Sequence, residues 1–274
     1  MRFLILWGVC LALLSGCGGQ PKPTQPESEG QPVMQLERVP LYESTATVPL
    51  TGTAPYAPWG FMEPDSVAAD SAGDLLCDTL LPDGTEVVCY RDPEDEFVKY
   101  WAVRQGTSLL RFYEENSAYP DGYSAEPFTD ILGQDGFRIM APRGAAYQAY
   151  DYYTLDETGT PRLLAACANS VIEADVNGDG ERELLWFYHG GRDIYYIFRQ
   201  EGSPQEICLT DHLAQQEEPW LVIAEYTELT EDSCLPVRAL QGGWETVSPE
   251  TEFLSGRLRF TAESVHLEVE VPAS

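Results

Sequence analysis

The chain has 274 residues, of which 43% are hydrophobic and 11% aromatic, which is enough apolar material for the core of one ordinary to large domain or two small ones. Its 45 acidic and 16 basic residues give a formal net charge of −29. Because binding to phosphate groups requires basic patches, this balance argues against nucleic acid as a partner. An acidic surface also repels anionic lipids, so membrane attachment has to come from another feature of the chain.

The first residues have the features of a bacterial lipoprotein signal. Residues 3–14 form an apolar run that is too short to span a bilayer comfortably. The sequence Leu-Ser-Gly-Cys at 14–17 follows at once and resembles a lipobox. The resemblance implies a signal peptide at residues 1–16, a lipid on Cys17, and anchoring on the extracytoplasmic face of the cell membrane. An ordinary secretory signal peptide cut nearby, or a retained anchor, is the alternative.

The next segment is rich in proline, glycine, glutamine and glutamate. Such a composition buries too little apolar surface to offset the entropy lost on ordering, so we predict a disordered tether at residues 17–35. We expect residues 36–274 to form a β-rich extracytoplasmic domain. A loop of asparagine, proline, aspartate, glycine and serine at residues 115–126 marks a candidate sub-boundary within it.

From residue 67 onward, apolar residues recur mostly with a period of two, and turn signals follow every 8–12 residues. This pattern predicts a mainly β fold, an antiparallel meander, with an α+β fold as the alternative. A helical turn is predicted at residues 127–132 and a short helix at 211–216, capped by Thr210 or Asp211. The predicted strands are 74–81, 85–91, 97–104, 107–113, 136–140, 146–155, 162–168, 171–175, 183–189, 193–200, 205–210, 220–227, 257–261 and 265–271.

Two cysteines are predicted to face each other across a hairpin. A Pro-Asp-Gly turn at residues 82–84 sets a register in which Cys77 lies opposite Cys89. Cross-strand Cβ atoms lie about 4.5–5.5 Å apart, close to the range of a disulfide. A Cys77–Cys89 bridge would form in an oxidising exterior, and two buried thiols on one face of the sheet are the alternative. Five cysteines follow Cys17, so at least one thiol stays free within a single chain.

Residues 175–183 carry an oxygen-bearing side chain at every second position and end in a carboxylate. Calcium binds about six to eight oxygens, and a tight loop supplies them from its first, third, fifth and ninth side chains and its seventh carbonyl. Gly180 permits the sharp turn that wraps a chain around an ion. We therefore predict Ca²⁺ as the cofactor. Its ligands would be the side chains of Asp175, Asn177, Asp179 and Glu183 and the carbonyl of Glu181.

The loop is not an EF-hand, because Trp186 stands where that motif has a bidentate glutamate and strand-like sequences flank the loop. Residues 171–187 instead resemble one calcium-loop repeat of the FG-GAP and VCBS β-propellers. The resemblance implies a strand–loop–strand unit in a propeller-like fold. Fainter echoes at residues 66–75 and 155–160 lack the ligand spacing, so we expect propeller-like meanders but not a full closed propeller. A solvated acidic β-turn is the alternative, because Asn-Gly and Asp-Gly favour turning.

The sequence has no recognised catalytic motif. Its three histidines, at positions 189, 212 and 266, do not have zinc-site spacing, and neither a Gly-x-Ser-x-Gly elbow nor a phosphate loop is present. His189 and Asp193 could pair beside the acidic loop, although a histidine in a turn at a strand end is the simpler interpretation. We therefore expect that the protein is not an enzyme.

Aromatic residues are dense at residues 147–153, 186–188 and 195–198. Aromatics with a period of two usually pack in a core, and exposed ones bind carbohydrate or protein. We predict a lipid-anchored cell-surface protein that has a structural calcium loop and binds an unidentified ligand or partner protein. A surface hydrolase acting on glycan or peptide is the alternative, and it predicts a cleft with convergent polar groups of perturbed pKa. A structural envelope lipoprotein is a third interpretation.

Overall fold

The chain folds almost entirely into strands, as expected from its period-two alternation of apolar and polar residues. The computed structural model describes residues 40–51, 53, 55–56, 62–144, 147–225 and 228–271. The helix α1 (Leu209–Ala214) is short. The strands are β1 (Tyr42–Pro49), β2 (Asp65–Ala68), β3 (Leu75–Leu80), β4 (Glu86–Arg91), β5 (Val98–Gln105), β6 (Ser108–Asn116), β7 (Ser124–Ile131), β8 (Gln134–Gly144), β9 (Tyr147–Leu155), β10 (Pro161–Ala168), β11 (Val171–Ala174), β12 (Glu183–Tyr188), β13 (Asp193–Gln200), β14 (Ser203–Cys208), β15 (Trp220–Ala224), β16 (Leu235–Gln241), β17 (Leu254–Phe260) and β18 (Ser264–Glu270).

These strands form four antiparallel sheets that follow one another along the chain. The first sheet has the order β2-β6-β5-β4-β3, the second β10-β9-β8-β7, the third β11-β12-β13-β14, and the fourth β1-β18-β17-β16-β15. The strand β1 leaves chain order to pair with β18. None of the four described sheets closes into a barrel, which confirms the prediction of a mainly β meander that is not a full closed propeller.

Apolar side chains on the sheet faces join each sheet to the next. In β4, Val87 and Cys89 face the second sheet, while Val88 and Tyr90 pack against residues of β2 and the turn that follows it. Each fully buried side chain of this size contributes roughly 1.5–3 kcal/mol. Trp101 and Phe137 join the first sheet to the second, Tyr152 and Leu184 join the second to the third, and Leu185 and Leu258 join the third to the fourth.

The predicted helical turn at residues 127–132 is wrong, because residues 127–131 belong to β7. A bulge between Phe128 and Ile131 makes residues three apart face the same core, and this spacing imitates a helix. The strand β16 was not predicted, and α1 begins at Leu209, two residues before its predicted start, without a side-chain cap.

Pro40–Ser274 form one compact unit. Residues 115–126 lie inside this unit, where the chain passes from β6 of the first sheet to β7 of the second. The predicted signal peptide, Cys17 and the tether lie outside the described residues. Within the described part of the chain, no helix has the length and apolar character needed to cross a membrane.

Candidate metal site and cleft

The acidic loop of residues 175–182 connects β11 to β12, the first two strands of the third sheet. Ala174 pairs with Glu183, so the last predicted ligand already lies on a strand. Gly178 and Gly180 have φ angles of +80° and +94°, a left-handed conformation that other residues rarely adopt. The chain therefore reverses sharply between two paired strands.

Backbone hydrogen bonds orient the carboxylates of the loop. Asp175 accepts one from the nitrogen of Gly178 at 2.7 Å and one from that of Gly180 at 3.0 Å. Asp179 accepts one from the nitrogen of Glu181 at 2.9 Å. Aspartates in tight turns commonly make such bonds, so these contacts explain the shape of the loop with or without an ion.

Three carboxylates of the loop converge. One oxygen from each of Asp175, Asp179 and Glu183 lies within 4.8 Å of the other two. Opposite ligands of a calcium ion are separated by about 4.6–5.2 Å, since each lies about 2.3–2.6 Å from the ion. Glu183 is only 2% exposed, whereas Asp175 is half-buried and Asp179 is exposed. The triad can therefore hold a metal ion, with Glu183 at the base of the site.

The other two predicted ligands have additional partners. The side-chain nitrogen of Asn177 donates to Asp179 at 3.0 Å and to Glu183 at 3.1 Å, so its amide contacts the triad through nitrogen. Rotating the amide by half a turn would present its oxygen instead. The carboxylate of Glu181 accepts from Nε of Arg199 at 2.7 Å. The backbone carbonyl of Glu181 is thus the group left for an ion, and it is the group predicted for this role.

The environment of Glu183 favours an added positive charge. Burial raises the pKa of Glu183 to about 8, and repulsion from Asp179 and Asp175 adds to the rise. The backbone N–H of Val176 opposes it by donating a hydrogen bond at 2.9 Å. A divalent cation among the three carboxylates would reverse this balance, because it stabilises their ionised forms.

A buried hydroxyl lies beside the same loop. Tyr196 on β13 is 0% exposed, and among the described residues its hydroxyl oxygen has no hydrogen bond within 3.5 Å. Burial raises its pKa, and Glu183 and Asn177 are its polar neighbours. An unpaired buried hydroxyl costs about 1–3 kcal/mol. A bound water molecule would satisfy this hydroxyl.

The loop is also attached to the second sheet, which the sequence did not indicate. Arg182 forms a parallel bridge with Ile131, and its backbone carbonyl accepts from the nitrogen of Leu132 at 2.8 Å. Its guanidinium lies 2.9 Å from the carboxylate of Glu173. The acidic loop therefore connects the third sheet to the second, in addition to forming a turn within the third.

A cleft of about 610 Å³ lies among the first three sheets, and no sequence pattern predicted it. Its walls combine acidic and aromatic side chains with a single guanidinium. The charged residues that line it are Glu114, Glu115, Arg143, Asp151 and Glu206, and the aromatic ones are Tyr56, Tyr113, Trp186 and Tyr195.

Two buried carboxyl groups in this cleft share Arg143. Its Nε lies 3.1 Å from Glu115, and a terminal nitrogen lies 3.6 Å from Asp151. The two acidic side chains are only 8% and 4% exposed. Burial raises the pKa of Glu115 to about 7, with Asp151 adding to the rise and Lys99 opposing it. Burial also raises the pKa of Asp151 to about 6, against the effect of Arg143.

These cleft residues could not be recognised along the chain. Glu115 lies on β6, Arg143 on β8 and Asp151 on β9, and the sequence pattern had assigned Glu115 to a loop. No fixed spacing links them, because the packing of the first sheet on the second brings them together.

Other predicted features lie elsewhere. Cys77 pairs with Cys89 across β3 and β4, and both are free thiols in this structure, so the disulfide stays a prediction. Nδ1 of His189 lies 2.7 Å from Asp193, but the histidine side chain is 64% exposed in the turn between β12 and β13. The imidazole is thus in open solvent and does not line the cleft.

No protein-family model matches the chain, and neither a curated protein nor a solved structure shows significant similarity to it. The likeness of residues 171–187 to a propeller repeat therefore stays a prediction from those residues alone.

Proposed function

We propose that this protein is a lipid-anchored, cell-surface binding module whose acidic loop holds a structural Ca²⁺ ion. The observation that carries the metal part is the convergence of Asp175, Asp179 and Glu183 within 4.8 Å. All the donors are oxygens, which hard cations such as calcium prefer. The lipid anchor rests on the lipobox at Cys17.

The role of the ion follows from the attachments of the loop. Arg182 contacts the second sheet, and Val176 is buried in the core shared by the third and fourth sheets. An ion that fixes the loop therefore stabilises the packing of three sheets. Because it binds the folded state, it raises stability by mass action.

Thermal unfolding of the full-length protein in detergent tests this proposal, with millimolar calcium and with chelator. At 100 times the dissociation constant, the ion adds about 2.7 kcal/mol, a rise of roughly 5–10 °C in Tm. Asp179→Asn should abolish the rise, whereas Asp121→Asn, at an exposed site in another loop, should retain it. An equal Tm with and without calcium in the parent protein would refute the metal site.

One observation favours the alternative of a surface hydrolase. The cleft contains Glu115 and Asp151, two buried carboxyl groups with raised pKa, and such groups cluster at catalytic sites. In glycoside hydrolysis one carboxyl group acts as an acid and the other as a nucleophile or base. Hydrolysis of a glycan or peptide that is lost in Asp151→Asn and kept in Asp121→Asn would establish this function.

A further inference from the structure

We propose that the cleft among the first three sheets binds a ligand that carries a positively charged amino group. This inference deepens the proposed binding function and rests on it. The cleft volume of about 610 Å³ lies in the range of roughly 300–1,000 Å³ typical of sites for small molecules. It is lined by strands of three sheets, so its shape is set by the packed core.

The charges of the cleft favour a cation. Four acidic side chains line it, and Arg143 is the single basic residue among the described lining residues. This guanidinium is shared between Glu115 and Asp151 and lies a full 3.6 Å from the latter. Asp151, whose side chain is only 4% exposed, has this distant guanidinium as its ion-pair partner. A buried carboxylate with so long an ion pair is poorly compensated, and a ligand ammonium group would supply both a closer charge and hydrogen bonds.

Glu206 provides a second acidic contact, on the wall formed by the third sheet. It accepts a hydrogen bond from the indole nitrogen of Trp186 at 3.1 Å, and this neutral donor leaves its charge uncompensated. Burial raises the pKa of Glu206, in keeping with the shortage of positive charge. Carboxyl groups of the second and the third sheet thus both line the cleft, and each is a candidate contact for an amino group.

The aromatic walls suit the organic part of such a ligand. Trp186 and Tyr195 stack in parallel, with ring centroids 4.0 Å apart, and form a rigid apolar surface. Tyr113 lines the wall of the first sheet. Aromatic rings attract ammonium groups through their negative faces, by about 0.5–2 kcal/mol. An anionic ligand would instead meet four carboxyl groups.

Calorimetric titration of the full-length protein in detergent tests the proposal with three amines of increasing size: glycinamide, 1,5-diaminopentane and glucosamine. Their neutral counterparts are acetamide, 1,5-pentanediol and glucose. We expect at least one amine to bind ten-fold or more tightly than its counterpart, and its affinity to fall with added salt. Glu206→Gln and Asp151→Asn should each lower this affinity at least ten-fold. Glu217→Gln, at an exposed site, should leave it unchanged.

Equal binding of amine and counterpart, no binding of any amine, or full affinity in both cleft variants would overturn the proposal. Both substitutions keep side-chain size and remove a charge that burial already disfavours, so we expect the variants to fold; unchanged far-ultraviolet circular dichroism checks this. The calcium site is tested separately. Amine binding that persists while Asp179→Asn abolishes the calcium-dependent Tm rise would leave the two proposals independent.

Discussion

The backbone nitrogen of Arg182 donates a hydrogen bond to the carbonyl of Asp130, 3.2 Å away, and so links the acidic loop of the third sheet to the end of β7 in the second. The nitrogen of Leu132 returns a hydrogen bond to Arg182. A metal ion bound by the loop would therefore act on a neighbouring sheet through backbone contacts.

This link predicts that calcium slows hydrogen exchange at Leu132. The ion would reduce opening of the loop, and the Leu132 amide is exposed to solvent only when that contact opens. We expect at least ten-fold slower exchange with calcium than with chelator. The amide of Gly84, which donates to Leu81 in the β3–β4 turn, is the matched control and should be unaffected. Equal slowing at both amides would show a global effect instead of coupling through Arg182.

Tyr196→Phe should leave the calcium-free protein at least as stable as the parent but weaken calcium binding. Without calcium, the substitution removes a buried hydroxyl that has no partner within 3.5 Å among the described residues, so stability should stay equal or rise by about 1 kcal/mol. With calcium, the loss of a hydroxyl beside Glu183 and Asn177 should weaken calcium binding several-fold. Chemical unfolding in chelator and calcium titration measure the two effects. Tyr152→Phe removes the hydroxyl that donates to Glu173 at 2.8 Å, so it should destabilise the protein in both conditions.

Gly180→Ala should lower both stability and calcium affinity. Its φ of +94° is unfavourable for alanine, with a cost of roughly 1–2 kcal/mol, although an added Cβ meets no atom within 4 Å. Gly84 has a similar φ of +88° and equally open surroundings, so Gly84→Ala should lower stability to the same extent. Calorimetric titration should show weaker calcium binding in the Gly180 variant alone. Equal calcium affinity in the two variants would contradict a role for the Gly180 turn in the site.

Glu115 and Asp151 should make the protein less stable as the pH rises from about 4 to about 7. In the folded state the pKa is about 7 for Glu115 and about 6 for Asp151, whereas in the unfolded chain both groups lose their protons near pH 4. The free energy of unfolding therefore falls as the pH rises through this window. Each group contributes on the order of 3 kcal/mol. Urea unfolding across this pH range should give a flatter profile for the Glu115→Gln, Asp151→Asn double variant. If the pH profile of the double variant ran parallel to that of the parent protein, other groups would determine the pH dependence.

Thiol counting tests the disulfide between Cys77 and Cys89. In a Cys17→Ser variant secreted under oxidising conditions and then denatured, the bridge leaves three of the five downstream cysteines reactive. The bridge should stabilise the protein by about 3 kcal/mol, because it closes a short loop in the unfolded chain. Five reactive thiols would show that the pair stays reduced.

Local sequence patterns were enough to predict the features that depend on neighbours along the chain. Period-two alternation predicted most strands, and the turn at residues 82–84 predicted the register that pairs Cys77 with Cys89. The alternating oxygens of residues 175–183 predicted which carboxylates converge, because a tight loop brings alternate side chains to one point. The prediction of secondary structure from sequence was wrong at β7, where a bulge gave strand residues the spacing of a helix.

Contacts between residues distant in sequence determine which sheets meet and what lies between them. Glu115, Arg143 and Asp151 lie on three strands, and packing of the first two sheets brings their side chains together. The same packing buries the carboxyl groups of Glu115 and Asp151 and raises their pKa. Composition could not single out these two among the 45 acidic residues of the chain. A cleft is made by contacts distant in sequence, and no local pattern encodes its position. Its charge and burial are therefore properties of the folded chain alone.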